Sequence, residues 1–316
     1  MRAARFHQWG AAPVVEDVPE PVRAEGEVLV EVRAGAVGHL DATIAGGEFA
    51  MRPNLPYTGG VEGAGVVLDG SPDDLPEGTQ VMLRGGGLGL LRDGCWTERV
   101  SVPAKAVTRL PAPLPPDVAA TFFVPATTGY VALHDVARVQ AGEEVIVAGA
   151  AGAVGSMVAQ LALAAGATVT GVVGWPEQLA RVPKGVEPVD GSSPDAVAEL
   201  AERRSATLLV DTLGGADLVN RSRWVRQGGR AVVIGYVAGP RLTVDLPSWL
   251  LDDVALLPLN MIRRERRARE VSADLVRRLS AGELHLDVQR FDLADAARAL
   301  DDLRAGQIRG RAVLTP

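Results

Sequence analysis

The sequence predicts an α/β chain in two parts, a β-rich domain of short strands and a doubly wound parallel sheet. Three observations predict it. The N-terminal third alternates short β-branched runs with clusters of Gly, Pro and Asp. The middle alternates wholly apolar runs with helical segments, the mark of βαβ units. One of those runs passes straight into a glycine-rich turn that opens a helix. A chain of 316 residues suits two domains and can bury its core without disulfide staples.

In the N-terminal part, Val28–Val32 (VLVEV) alternates as a half-buried strand does, and Gly63–Leu68, Gln80–Leu83 and Glu98–Val102 read as further short strands. The cluster Asp69–Gly78 separates two of them. Strands of this length and spacing suggest a barrel-like antiparallel domain. Arg109–Pro116 (RLPAPLPP) is a proline-rich break, after which Asp117 is placed as an N-cap and Val118–Val124 as helix. Glu144–Ala148 (EVIVA) and Thr168–Val173 (TVTGVV) are buried-type strands around the small-residue helix Ala153–Ala165. Leu208–Val210, ending at Asp211, and Arg230–Ile234, ending at Gly235, continue the parallel pattern. Ala268–Ser280 and Asp295–Arg304 are amphipathic helices. Arg311–Leu314 is a terminal strand, expected to complete the N-terminal domain rather than the parallel sheet.

Composition excludes several classes. A formal net charge of −7 makes the chain a poor ligand for nucleic acid or an anionic membrane surface. The basic run Arg263–Arg269 is broken by Glu265 and reads as a solvated helix face. No apolar stretch is long enough to span a bilayer. The N-terminus has no apolar leader segment, and the single cysteine, Cys95, permits no intrachain disulfide; both fit a cytoplasmic protein.

The glycine turn carries the chemistry. A strand runs into Gly149-x-x-Gly152-x-x-Gly155 at the start of a helix, where backbone N–H groups and the helix dipole attract a pyrophosphate and a Cβ would hold it away. Gly149, Ala151, Gly152, Ala153 and Val154 are therefore candidate cofactor contacts. The second strand ends Val173-Gly174-Trp175-Pro176 with no acid at its tip to bind a ribose 2′-hydroxyl. That leans the reading to NADPH, with Gly174 at the tip and Arg181 and Lys184 near enough in sequence for a 2′-phosphate; NADH stays open as the alternative. Gly215, Gly235 and Tyr236 follow parallel strands at their carboxyl ends, where ligands bind in such sheets.

Taken together, Gly35–Gly47 (GAVGHLDATIAGG), Gly60–Val67 (GVEGAGVV), Pro125–Tyr130 (PATTGY), the glycine turn, Asp211–Gly215 (DTLGG), Gly228–Gly235 (GGRAVVIG) and Gly310–Pro316 (GRAVLTP) resemble the medium-chain dehydrogenase/reductase superfamily. The likeness is to its zinc-free quinone oxidoreductase and enoyl reductase branch and covers nearly the whole chain. It implies a GroES-like catalytic domain from residues 1–118 and 264–316 and a Rossmann domain from residues 119–263. It also implies a homodimer paired through the Rossmann domains, and nicotinamide contacts at Thr128 and Asn260.

Zinc-dependent relatives bind catalytic zinc through a cysteine in the first of these segments and a His-Glu pair in the second. This chain has Gly38 and Val61-Glu62 there, so no zinc is expected. The resemblance places a tyrosine two residues after the aspartate that Asp41 matches, but here that residue is Thr43. His39, Thr43 and Tyr57 are left as candidate proton donors, with Asp41 as support for the loop. Trp96 is a candidate wall of the substrate cleft, and Arg84–Gly94 a mobile loop near it. The function implied is a zinc-independent NADPH-dependent reductase that passes hydride to a quinone or an activated C=C of a small molecule. A metal-free C=O or C=N reductase, or an NADPH-binding protein or cyclase without net hydride transfer, stays open beside it.

Overall fold

The computed structural model describes residues 1–70 and 75–316; residues 71–74, within the Asp69–Gly78 spacer, lie outside the described residues. The described chain divides into two compact units. Unit 1 is Met1–Phe123, Val276–Ala281 and Leu286–Pro316; unit 2 is Val124–Leu275 and Gly282–His285.

Unit 1 begins with β1 (Arg2–Phe6) and β2 (Val14–Asp17), an antiparallel pair. The long β3 (Glu27–Val37) follows, then helix α1 (His39–Ala45) and β4 (Tyr57–Thr58), which pairs with β1. β5 (Glu62–Asp69), β6 (Gln80–Arg84), β7 (Arg99–Pro103) and β8 (Val107–Arg109) build the larger antiparallel sheet around β3. The alternation read in Val28–Val32 is real: Val28, Val30 and Val32 are buried in one core cluster with Val67, Val81, Leu83 and Cys95. β3 runs on to Val37 because Ala34, Gly35 and Ala36 are small enough to be buried on both faces.

The proline-rich break leads to α2 (Pro116–Thr121), with Pro115 at the N-cap rather than Asp117. Asp117 instead lies in the first turn, buried, with its carboxylate paired to Arg290. Proline is well suited to the first helical position because its missing N–H has no intrahelical partner there. α3 (Phe123–Tyr130) continues into one π-helical stretch, Val131–Ala137.

Unit 2 holds a six-stranded, wholly parallel sheet: β9 (Glu144–Ala148), β10 (Thr168–Val173), β11 (Glu187–Asp190), β12 (Ala206–Asp211), β13 (Val225–Val233) and β14 (Ala255–Pro258). Their order is β11-β10-β9-β12-β13-β14, so the chain changes direction across the sheet between β9 and β12. The intervening helices are α4 (Ala153–Ala164), α5 (Pro194–Arg203), α6 (Leu218–Ser222) and α7 (Leu246–Asp252). The central strands β9, β10 and β12 are buried on both faces, which is why they read as continuous apolar runs.

α8 (Glu265–Ser280) is followed by β15 (Val288–Asp292), α9 (Ala296–Arg304) and β16 (Arg311–Thr315). β16 pairs antiparallel with β3 and parallel with β15, so the chain's end does complete the N-terminal sheet. No helix among the described residues is long and apolar enough to cross a membrane.

Candidate active site

In unit 2 the candidate cofactor residues gather at the carboxyl edge of the parallel sheet, where β9 and β12 are neighbours. In open α/β sheets this reversal point is where ligands bind. β9 ends at Ala148, and Gly149 turns the chain with φ +84°, a conformation costly for any residue with a Cβ. Gly155 is pinned by packing: a Cβ there would lie 2.1 Å from the Gly149 carbonyl oxygen. Gly152 differs. It is exposed, and an added Cβ would meet only the Gly149 oxygen, at 3.3 Å. The turn therefore offers a smooth backbone face at the N-terminus of the twelve-residue α4, with Ala151, Ala153 and Val154 half-buried around it.

Two neighbouring loops are locked to each other beside that turn. After β12, the fully buried Asp211 accepts the N–H groups of Leu213 (2.9 Å) and Gly214 (2.7 Å) through Oδ1. Its other oxygen receives Arg221 Nε at 2.6 Å, and Arg221 Nη2 donates to the Gly214 carbonyl at 2.6 Å. Ala238 N–H donates to Leu213 O at 2.9 Å, which ties the loop after β13, with Gly235 and Tyr236, to the loop that ends at Gly215. Tyr236 is 74% exposed. Asp211 and Arg221 were not singled out from sequence as site-shaping residues; an aspartate closing an apolar strand before Gly-Gly is the signal that could have found them.

Beyond β10, the exposed Gly174 donates its N–H to Gln178 Oε1 at 3.0 Å, and Arg181 sits half-buried at the end of the 3₁₀ turn Pro176–Arg181. Thr128 is buried on α3. Asn260 is exposed just past β14, and its Oδ1 accepts Arg263 N–H at 3.2 Å. The contacts expected from the turn and from the loops after β12 and β13 thus share one sheet edge, while Asn260 lies beyond a strand two places from β12.

In unit 1, His39 and Thr43 lie one turn apart on α1. Thr43 Oγ1 donates to the His39 carbonyl at 2.8 Å, so its proton serves the helix backbone. His39 is exposed at the start of α1; partial desolvation, then the Arg311 charge, hold its imidazole below the ordinary histidine range. Tyr57 lies in the core, its ring stacked on Phe6 at 5.1 Å, and burial pushes its phenol up. Trp96, from sequence one candidate for a cleft wall, is fully buried in the same cluster and donates Nε1–H to Ala36 O at 2.8 Å. Flanking glycines make it core: a Cβ at Gly59 or Gly60 would lie 2.5 Å from its ring.

Asp41 is buried and accepts Gly38 N–H (2.9 Å) and Val61 N–H (3.0 Å), clamping α1 to the segment before β5. Burial outweighs those hydrogen bonds and raises its carboxyl to about 6. A group raised in the folded state stabilises most below its unfolded value and loses that contribution as pH rises. The Asp41 contribution is therefore expected to fade between about 4 and about 6. Its side-chain ¹³C shift is expected to titrate at the upper end of that window; a midpoint near 4 would refute it.

Comparison with known proteins fits this geometry. Residues 24–112 match the alcohol dehydrogenase GroES-like domain family, and residues 185–314 match the zinc-binding dehydrogenase family. Quinone oxidoreductase of Lama guanicoe is 29% identical over 245 residues, covering 74% of this chain and 73% of its own. The synaptic vesicle membrane protein VAT-1 homolog of Homo sapiens is 30% identical over 230 residues, 70% of this chain and 57% of its own. In fold, an Escherichia coli quinone oxidoreductase solved in complex with NADPH superposes with a TM-score of 0.86, at 22% identity, over 100% of both chains. This chain belongs to the medium-chain dehydrogenase/reductase superfamily, quinone oxidoreductase branch. As a member of that branch it is an NAD(P)H-dependent oxidoreductase, with a GroES-like sheet in unit 1 and a Rossmann sheet in unit 2. The residues present fit a nicotinamide dinucleotide: Gly149–Val154 would hold the pyrophosphate at the α4 N-terminus, where the first N–H groups have no intrahelical acceptor. When bound, it would supply a two-electron hydride donor.

Proposed function

We propose that this chain is a zinc-independent NADPH-dependent reductase of quinones or of activated C=C bonds conjugated to a carbonyl. The observation that carries the reading is the exposed Gly152 backbone face at the head of α4, built by a positive-φ Gly149 and a packed Gly155. The donor set supports a reaction without a metal Lewis acid. Gly38 and Val61 offer no ligand atom, and the Glu62 carboxylate is already faced by two guanidinium groups, Arg84 Nε at 3.4 Å and Arg311 Nη2 at 3.3 Å. Among the described residues no three His, Cys, Asp or Glu side chains stand close enough to hold a metal ion.

For the proton that ends the reduction, His39 ranks first. Its ring is exposed, whereas the Thr43 hydroxyl is committed to the helix and Tyr57 is core. Thr128, Gly174, Gly215, Gly235, Tyr236 and Asn260 remain the proposed contacts along the rest of the cofactor. With no acid at the tip of β10, Arg181 is the residue proposed for the 2′-phosphate. NADPH oxidation by a simple quinone and by an α,β-unsaturated ketone tests the function; no oxidation with either acceptor would sink it. NADPH is expected to surpass NADH at least roughly tenfold in kcat/KM, the worth of one charge-assisted hydrogen bond, and Arg181→Ala to erase most of that margin.

A homodimer through unit 2 belongs to the same proposal. Among the described residues β14 leaves one edge of the sheet unpaired, and Leu246, Leu250, Leu251 and Ile262, which flank it in sequence, are exposed. Edge strands flanked by bare apolar side chains favour pairing with a second copy. Sedimentation is expected to show a dimer that the double variant Leu250→Asp, Leu251→Asp converts to monomer; a monomeric wild type would overturn this.

A further inference from the structure

Within unit 2, one ion pair bolts together the loops at the carboxyl edge of the sheet. Asp211 ends β12 and is fully buried; Arg221 lies on α6 with its side chain only 11% exposed. Arg221 holds two different acceptors at once. Its Nε donates to Asp211 Oδ2 and its Nη2 to the Gly214 carbonyl, each at 2.6 Å. Asp211 Oδ1 meanwhile receives the N–H groups of Leu213 and Gly214. The segment from Asp211 to Gly214 is thus closed on itself through a side chain of α6.

That closed segment reaches both of its neighbours. Thr212 Oγ1 donates to the Ala148 carbonyl at 2.8 Å, directly before Gly149 of the glycine turn. On the other side Ala238 N–H donates to Leu213 O, and Ile234 N–H to the Asp211 carbonyl, both at 2.9 Å. Contact with the loop after β13 is close. A Cβ on Gly214 would lie 2.5 Å from the Gly235 oxygen, and one on Gly215 2.6 Å from the Ala238 oxygen. Both glycines have positive φ, +65° and +76°, a shape that side chains would make costly. A planar guanidinium can span a carboxylate and a carbonyl together, which the point charge of a lysine does not.

The sheet order assigns these loops to one part of a dinucleotide. A dinucleotide lies across the reversal point with one mononucleotide on each half of the sheet, and the second strand of the first half reads the adenosine ribose. Here that strand is β10, in the half β9-β10-β11. The half β12-β13-β14 is left for nicotinamide mononucleotide.

We propose that Arg221 is a positioning residue for the nicotinamide half of the cofactor. By bridging Asp211 and the Gly214 carbonyl it keeps the loops after β12 and β13 in the arrangement that receives nicotinamide mononucleotide. It acts through Gly215, Gly235 and Tyr236 and touches no reacting atom itself. This rests on the reductase reading above. Loops already ordered spare the cofactor that cost on binding and hold the hydride-donating ring in one orientation.

Arg221→Lys is the deciding variant, because it keeps a cation against Asp211 and gives up the bond to Gly214. Two probes are titrated: NADPH, read by nicotinamide fluorescence, and 2′,5′-ADP, which carries the adenosine half alone, read by calorimetry. The variant is expected to bind NADPH about tenfold more weakly, the loss of one charge-assisted hydrogen bond, and 2′,5′-ADP within about twofold of wild type. Its kcat with a quinone is expected to fall too, because the ring is held less firmly. General loosening of unit 2 would instead weaken both probes together. The double variant Asp211→Asn, Arg221→Met leaves no unpaired charge in the core and keeps an acceptor for the Leu213 and Gly214 N–H groups. It is expected to show the same selective loss. NADPH affinity within about threefold of wild type in either variant overturns the proposal, as does an equal loss for both probes. A wild type that binds neither NADPH nor 2′,5′-ADP would sink the reductase reading, and this inference with it. A wild type that binds both, beside variants that bind both equally well, would sink this inference alone.

Discussion

Gly152→Asp is expected to abolish measurable NADPH binding while leaving the thermal midpoint within about 2 °C of the wild type. The two effects separate because Gly152 is not held by packing. Its backbone is extended, φ −79° and ψ 161°, which any residue adopts, and it stands at the N-cap of α4, where aspartate is favoured. The new carboxylate would satisfy the helix's own N–H groups and place a negative charge where a pyrophosphate must come. Loss of charge-assisted hydrogen bonds there amounts to about 3 kcal/mol or more, over a hundredfold in affinity. Gly155→Val is the contrasting case. Its Cβ would lie 2.1 Å from the Gly149 oxygen, so the turn itself must move. Here both cofactor affinity and stability are expected to fall, the latter by about 2 kcal/mol. Fluorescence titration with NADPH and a thermal melt read both variants. Binding by Gly152→Asp within threefold of wild type would show that this turn is not the cradle.

The same contrast explains what could be read from the chain and what could not. The turn was legible because each of its residues answers a local demand: a buried strand, a positive φ at Gly149, a close approach at Gly155. The central strands β9, β10 and β12 were legible for a similar reason, since burial on both faces writes a continuous apolar run. β11, β14 and β15 were not. They are four or five residues long and lie at or near sheet edges, where half-exposed positions carry little pattern. Polar supports were the least legible. Arg311 meets Glu62 across 249 residues of sequence, and no local spacing announces such a pair. Asp117 shows a subtler limit. The residue is right for a helix start, but Pro115 takes the cap and Asp117 turns to Arg290. Thr43 matters in the same way: its hydroxyl bonds backward to His39, an outcome common to threonine inside helices and invisible in a motif.

Trp96→Ala is expected to destabilise unit 1 by about 4 kcal/mol, measured as a lowered denaturant midpoint. Trp96 is fully buried, and its ring rests against Phe6 at 5.8 Å and fills the space left by Gly59 and Gly60. Truncation removes the largest side chain of that cluster, and three glycine backbones, at 35, 59 and 60, have no side chains with which to close the gap. The Ala36 carbonyl also loses its indole donor, at about 1 kcal/mol for an unsatisfied buried acceptor. Trp96→Phe should recover about half of the loss, since it refills volume but not the hydrogen bond. The strands that carry the turn of unit 2 pack in their own core cluster, with Ile146, Ala148 and Leu209, so NADPH affinity of the folded variant is expected to stay within about twofold. A stability change below about 1 kcal/mol would mean that the ring is not core. A large loss of affinity in a variant that remains folded would instead return Trp96 to the role of a wall around the substrate.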